Sequence, residues 1–273
     1  MQPLASSLYA SPTTTPADTC DADVAAVAFF FDLDGTLAPL APRPDAVRLP
    51  RDTASVLARL LERTNGAIAV VSGRAIDEID GLLAPLRVAA AGLHGAEIRH
   101  ADGELIRAEG HAIDTVLIAA MVSPLHALVA LHPGLLLENK GSALALHYRS
   151  APELAGLAHD AMRALANLHA ERFVLQPGKF VFELRPRHVS KGRAITTLLK
   201  EVPFAGRTPL FAGDDLTDEA GFADVNALGG ITIKIGQGET CAHHRLPSPE
   251  ALTAWLLTLR HTSPPQPSQE NGV

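Results

Sequence analysis

Residues 29–37 read FFFDLDGTL. Three aromatic rings are followed at once by two carboxylates two positions apart, then by glycine and threonine. The run that leads in, VAAVAFFF at 24–31, is apolar without interruption. Strands buried on both faces read this way, whereas a strand with one wet face alternates. Ending the run at Asp32 puts Asp32 and Asp34 at a strand's carboxyl end, where open α/β sheets bind their ligands. The stretch thus predicts both a fold class and the place where charge is used.

The surrounding sequence supports that class. Residues 52–63 carry Val56, Leu57, Leu60 and Leu61 at helical spacing, with Asp52 as the expected N-cap. GAIAVVS at 66–72 predicts a second buried strand, AIDEIDGLL a helix and RVAAAGLHG at 87–95 a third strand. The pattern resumes with a helix over 191–202, a strand at 208–213 running into DDLTDEAGF, and a strand at 229–236. Alternating strands and helices predict a doubly wound, mainly parallel, Rossmann-like α/β core. Between the halves the order is helix (112–132, despite Pro124), two strands, helix, two strands, which predicts an inserted α+β module. The expected division is a flexible segment 1–23, a core of 24–110 and 184–261, a cap of 111–183 and a flexible tail 262–273.

Composition excludes several functions. The net charge is -7 and Asp plus Glu outnumber Lys plus Arg by 30 to 23, which disfavours nonspecific nucleic-acid or anionic-membrane binding. No apolar stretch approaches the ~20 residues of a membrane helix. The first basic residue is Arg43, so the charged start of a secretory signal is missing and a cytoplasmic protein is expected. Cys20 and Cys241 make neither a disulfide framework nor a zinc site.

Polar groups fall at or just after the predicted strand ends: Asp32, Asp34, Ser72, Asp214 and Asp215, with Lys191 opening a helix. In this order they suit phosphoryl transfer through an aspartyl phosphate. A carboxylate is repelled by a phosphate monoester, so the site needs positive charge from Mg²⁺ and an ammonium. Asp32 is the expected nucleophile. Asp34 is the expected acid for the leaving oxygen and later the base for water. Gly35 and Thr36 are expected to offer backbone N–H groups to the phosphoryl oxygens, with Ser72, Gly73 and Lys191 completing the phosphate seat. Asp32, Asp34, Asp214 and Asp215 form the expected metal set, while Asp218 and Glu219 are expected to start a helix and orient those carboxylates. The DLDGTL stretch is not an EF-hand loop, because later oxygen ligands are missing.

DLDGTL, VVSGR, SKG and GDDLTDE resemble the four ordered motifs of the haloacid dehalogenase superfamily of phosphatases. GLHGAEIR, ENKGSALALHYR and PGKFVFELRP narrow the resemblance to the trehalose-6-phosphate phosphatase family, over residues 28–257. That resemblance implies Mg²⁺, trehalose 6-phosphate as substrate, and a cap inserted after the third strand. It further implies that Glu138, Lys140, Lys179 and Glu183 contact sugar hydroxyls. With no second large domain in the sequence, any coupling to the trehalose-phosphate synthase is expected in trans. Arginine outnumbers lysine 18 to 5, yet Lys140, Lys179 and Lys191 all fall at motif positions. His94 and His147 are expected near the cleft, Arg74 and Arg185 in supporting roles. The alternatives are a phosphatase for sucrose phosphate or a mannosyl phosphate, and a non-catalytic phosphosugar-binding regulator.

Overall fold

The computed structural model describes residues 23–107, 115–140, 143–187 and 189–259. The expected flexible ends, and the expected core-to-cap boundary at 110–111, fall outside them. Strand β1 (Val27–Phe31) is central in an eight-stranded sheet. It is flanked by β10 (Thr208–Gly213) and β2 (Ile68–Val71), both parallel to it. Beyond these lie β11 (Ile231–Ile235) and β12 (His244–Leu246) on one side and β3 (Ala89–Gly92) on the other, all parallel.

The three phenylalanines serve two cores at once, because successive side chains on a strand point to opposite faces. Phe29 and Phe31 pack with α1 (Arg51–Arg63), α2 (Ile76–Leu83) and α7 (Pro249–Thr258). Phe30 faces the other way, toward α5 (Lys191–Leu198) and α6 (Leu216–Ala227), stacking on Phe204 at 5.3 Å between centroids. Each ring, almost wholly buried, contributes about 1.5–3 kcal/mol by leaving water. Helices on both faces of a parallel sheet make the fold doubly wound, as expected.

Three local features differ from the sequence reading. Asp52 lies in the first turn of α1, and Pro50 is the N-cap without any side-chain hydrogen bond. Strand β3 stops at Gly92 because Leu93 and His94 turn left-handed, with φ of 50° and 58°. An antiparallel extension, β4 (Glu97–Arg99) and β5 (Leu105–Arg107), then widens the sheet before the insertion. These strands are three residues each, too short for periodicity to reveal.

The insertion runs α3 (Thr115–Leu131), β6 (Leu136–Asn139), β7 (Leu144–His147), α4 (Ala155–Leu168), β8 (Phe173–Gly178) and β9 (Val181–Pro186). Its strands form an antiparallel sheet in the order β6-β7-β9-β8. One face buries Leu144, Leu146, Leu184 and Phe173 against Met121, Leu125 and Met162 of the two helices. The opposite face is polar. Glu138, Ala145, Glu183 and Gln176 form one row across the four strands, so all four share it. No helix among the described residues is long and apolar enough to cross a membrane.

Candidate active site

Asp32 follows β1, Ser72 follows β2 and Asp214 follows β10, three neighbouring parallel strands ending at one edge. Lys191 opens α5 behind the Ser190 N-cap, whose hydroxyl accepts from the Arg193 amide. Its buried Nζ donates to Asp32 Oδ1 and to Asp218 Oδ1, both at 2.7 Å. Burial alone lowers the Lys191 pKa, but Asp218 and Asp32 outweigh it and raise it, keeping the ammonium charged. Burial pushes the Asp32 carboxyl up, with Asp218 and Asp214 adding to it against the pull of Lys191. Asp214 is raised to about 7, by burial first and then by Asp218 and Asp215.

Carboxylate oxygens of Asp32, Asp214 and Asp218 lie within 4.8 Å of one another, and Asp214 Oδ1 is buried without a hydrogen-bond partner. Two ammoniums, Lys191 and Lys234, face the carboxylates of Asp32, Asp214, Asp218 and Glu219, an imbalance that a hard divalent cation would relieve. The expected metal set is therefore only partly assembled. Asp34 holds Arg74 instead, accepting from Nε at 2.6 Å and Nη2 at 2.7 Å. Asp215 caps α6, accepting from the Leu216 amide at 2.7 Å.

The turn after Asp34 departs from expectation too. The Gly35 amide donates to Ala38 O at 2.7 Å and the Thr36 amide to Leu33 O at 3.4 Å. Both N–H groups thus close the turn, because the chain must reverse within a few residues to reach Leu37 in the core. Gly35 has φ +82°, and a Cβ there would lie 2.1 Å from Asp214 Oδ2. Only glycine lets the two loops approach so closely. Thr36 keeps its hydroxyl 3.4 Å from Asp32 Oδ2. Ser72 is buried, and its Oγ accepts from the Arg74 amide at 3.2 Å. Gly73 packs against the His94 ring.

The polar face of the inserted sheet covers this edge. Glu183 Oε1 is 3.2 Å from His94 Nε2 in the core, and Glu183 Oε2 accepts from Lys140 Nζ at 3.3 Å. Glu138 Oε2 pairs with His147 Nε2 at 2.8 Å. Burial opposes ionisation of Glu183, yet His94 and Lys140 prevail and hold its pKa well below the carboxylate range. Arg149 donates to Ala41 O at 3.1 Å, and Gly178 at the β8–β9 hairpin comes against Asp215. Lys179, in that hairpin turn, is exposed and makes no hydrogen bond or ion pair among the described residues.

A family model described as trehalose-phosphatase matches residues 30–248. The chain is 44% identical over 248 residues to the trehalose-6-phosphate phosphatase of Escherichia coli K12, covering 90% of each. The chain belongs to the trehalose-phosphatase family. Its fold resembles the C-terminal domain of the C. albicans trehalose-6-phosphate phosphatase, with a TM-score of 0.81, 22% identity, and 93% and 99% of the two chains covered. A haloacid dehalogenase-like hydrolase from B. subtilis shares the fold at a TM-score of 0.59 and 15% identity, over 85% of this chain and all of that one (100%).

In this trehalose-phosphatase family member, the sequence reading missed Lys234 altogether. It is buried, donates from Nζ to Asp214 O, and sits 3.7 Å from Glu219 Oε1. A lysine inside an otherwise apolar strand, ITIKI, was the signal that could have revealed it. Asp218 proves more central than a helix start. Fully buried, it receives the Asp214 and Asp215 amides on Oδ2 at 3.0 and 2.9 Å and Lys191 on Oδ1. The spacing of Asp215 and Asp218 is a capping box, which carries its own sequence signature. Glu219 is turned away, to Thr240 and the Cys241 amide.

Proposed function

We propose that this chain hydrolyses trehalose 6-phosphate to trehalose and phosphate through a phosphorylated Asp32. Family membership supports the reaction, and one observation carries the reading of the site. Lys191 joins Asp32 to Asp218 in the core, and Glu183, on a cap sheet face with Glu138 and Lys140, reaches His94 of the core. A phosphate seat and a hydroxyl-binding surface thus share one cleft.

Asp32 Oδ attacks phosphorus, forming an acyl phosphate as the bond to the sugar oxygen breaks. The leaving oxygen takes a proton from Asp34. Asp34 then removes a proton from water, whose oxygen attacks phosphorus and releases phosphate from Asp32. Both Asp34 oxygens now accept from Arg74, so Asp34 must first take up a proton, loosening its bond to Arg74 at that oxygen, before it can protonate the leaving group. Lys191 keeps positive charge beside the phosphoryl oxygens without having to move. Ser72 and Thr36 add hydroxyl donors.

The donor set fits Mg²⁺: oxygen ligands only, with excess negative charge and one unpartnered carboxylate oxygen on Asp214. Asp32, Asp214 and Asp218 would hold it. When bound, the ion supplies positive charge that lets an anionic nucleophile meet an anionic phosphate. Asp34 and Asp215, expected in the metal set, act in this reading through proton transfer and through the α6 cap.

Phosphate release from a panel of sugar phosphates is the direct test, with trehalose 6-phosphate expected to be preferred over sucrose and mannosyl phosphates. The cap residues give a sharper one. In Glu183→Ala or Lys179→Ala, loss of a charged hydrogen bond costs about 1.5–3 kcal/mol, roughly ten- to hundredfold in kcat/KM. The loss on trehalose 6-phosphate should exceed that on p-nitrophenyl phosphate by at least about tenfold, since remote binding energy is used at the reacting centre. Parallel losses on the two substrates would instead give these residues a structural role.

A further inference from the structure

The side of β11 that faces α6 is polar, although it is buried. Ile233 and Ile235 point into the apolar core of α1 and α7, so Thr232 and Lys234 point the other way. Both are almost wholly buried. Thr232 Oγ1 donates to Asn226 Oδ1 of α6 at 2.7 Å, and Asn226 Nδ2 donates to Cys241 O at 2.8 Å. Lys234 Nζ lies 3.7 Å from Glu219 Oε1 of α6, too far for a hydrogen bond, and that oxygen is buried without another partner. Glu219 Oε2 is occupied by the Thr240 hydroxyl and the Cys241 amide. Stability does not account for a charge pair in this place, since apolar side chains of similar volume usually serve a core as well or better.

What Lys234 does hold is the peptide between Asp214 and Asp215. Its Nζ donates to Asp214 O, while the N–H of that same peptide donates to Asp218 Oδ2 at 2.9 Å. The preceding amide, that of Asp214, donates to the same oxygen at 3.0 Å. Two consecutive peptides are thus fixed, and one of them on both sides. The Asp214 carboxylate is left open by contrast, its Oδ1 being buried without a partner. Lys234 pairs with Gly213 across the strands, so its four-carbon arm has only to reach one residue further to find the carbonyl.

We propose that Lys234 is a positioning residue of the hydrolytic site, clamping the Asp214 main chain so that its carboxylate stays within reach of Asp32 and Asp218, ready for a divalent cation. The inference rests on the proposed function and adds to it a residue that touches neither substrate nor ion. Lys234 supplies the reach, and Glu219 the counter-charge that makes an ammonium tolerable in this interior. The pair is neutral in sum, which matters because a lone ammonium beside the site would repel the cation it prepares for. Thr240 and the Cys241 amide fix Glu219 in turn, so one charge pair joins the loop after β10 to the loop after β11. Losing an outer partner of this kind typically lowers metal affinity by about 10–100-fold.

The test is calorimetric titration of the full chain with Mg²⁺ alone. The main variant combines Lys234→Met with Glu219→Gln, removing both charges together and so leaving the local charge balance as it was. Thr232→Val is the control, because it strips the neighbouring hydrogen bonds from the same α6 interface without touching Asp214. The Mg²⁺ dissociation constant is expected to rise about 10–100-fold in the double variant and to stay within about threefold in the control, whatever happens to Tm. An unchanged affinity in the double variant, or an equal rise in both proteins, would overturn the inference and leave Lys234 a packing residue. Should the double variant not fold, Lys234→Gln with Glu219→Gln keeps a hydrogen-bonding pair inside but is one bond too short for Asp214 O, and the same outcomes decide. If the unaltered chain binds Mg²⁺ yet leaves trehalose 6-phosphate intact, the proposed function fails while the affinity comparison still judges Lys234. If the unaltered chain binds no Mg²⁺, the inference falls with the metal site.

Discussion

Replacing Asp32 by Asn should abolish turnover while leaving the protein folded. The amide oxygen can still accept from Lys191 Nζ, which Asp32 Oδ1 receives at 2.7 Å, so the buried ammonium keeps a partner there and its charge pair with Asp218. What is lost is the carboxylate that forms the acyl phosphate, and an amide cannot replace it. A fall in kcat of roughly a thousandfold or more is expected, as for other covalent nucleophiles. Thermal unfolding should shift by only a few degrees, because burial already works against the charged form of Asp32. A variant keeping about a tenth of the activity would remove Asp32 from the nucleophile role. Asp34→Asn separates the proton-transfer step from it. Its loss should be severe on trehalose 6-phosphate and much smaller on p-nitrophenyl phosphate, whose leaving group needs no proton. Identical losses would mean that Asp34 serves only to hold Arg74.

Withdrawing divalent metal should be nearly as damaging as losing the nucleophile. Excess EDTA is expected to abolish phosphate release and Mg²⁺ to restore it better than Ca²⁺, since the compact carboxylate set suits the smaller octahedral ion. Full activity in EDTA would reject the metal reading outright. A second readout does not depend on activity. In the metal-free protein Asp214 titrates near 7, raised above its unfolded value by burial, Asp218 and Asp215. The folded state therefore binds more protons than the unfolded state between about pH 4 and 7, and stability falls as pH rises through that window. Above it the folded protein carries the full penalty of the ionised cluster, which a cation would offset. Mg²⁺ should thus raise Tm more at about pH 8 than at about pH 5.5, where it must displace a proton. Asp214→Asn should flatten that pH dependence. A Tm response to Mg²⁺ that is equal at both pH values would argue against a cation at Asp214.

The architecture, and the edge of the sheet where charge collects, are legible in the order of the residues. Residues 27–31 and 208–213 were readable as core strands because burial on both faces leaves an uninterrupted apolar run, a local signal. Asp32, Ser72, Lys191 and Asp214 were readable because each sits where such a run stops or a helix begins. The polar cap face followed from alternation, which places Glu138 and Lys140 together. Which of these groups meet is set by how the folded elements pack. Asp32 and Lys191 are 159 residues apart and Asp34 and Arg74 are 40 apart, and no local pattern specifies such pairs. Packing gave Asp34 to an arginine and made Asp218, more than Asp215, the carboxylate that faces Lys191. It also turned the Gly35 and Thr36 amides inward to close their own turn, and set His94 opposite Glu183 across the cleft. Periodicity reports which face of an element is buried. It does not report which charges a closely packed interior brings within 3 Å of one another, because that depends on how every neighbouring element fits.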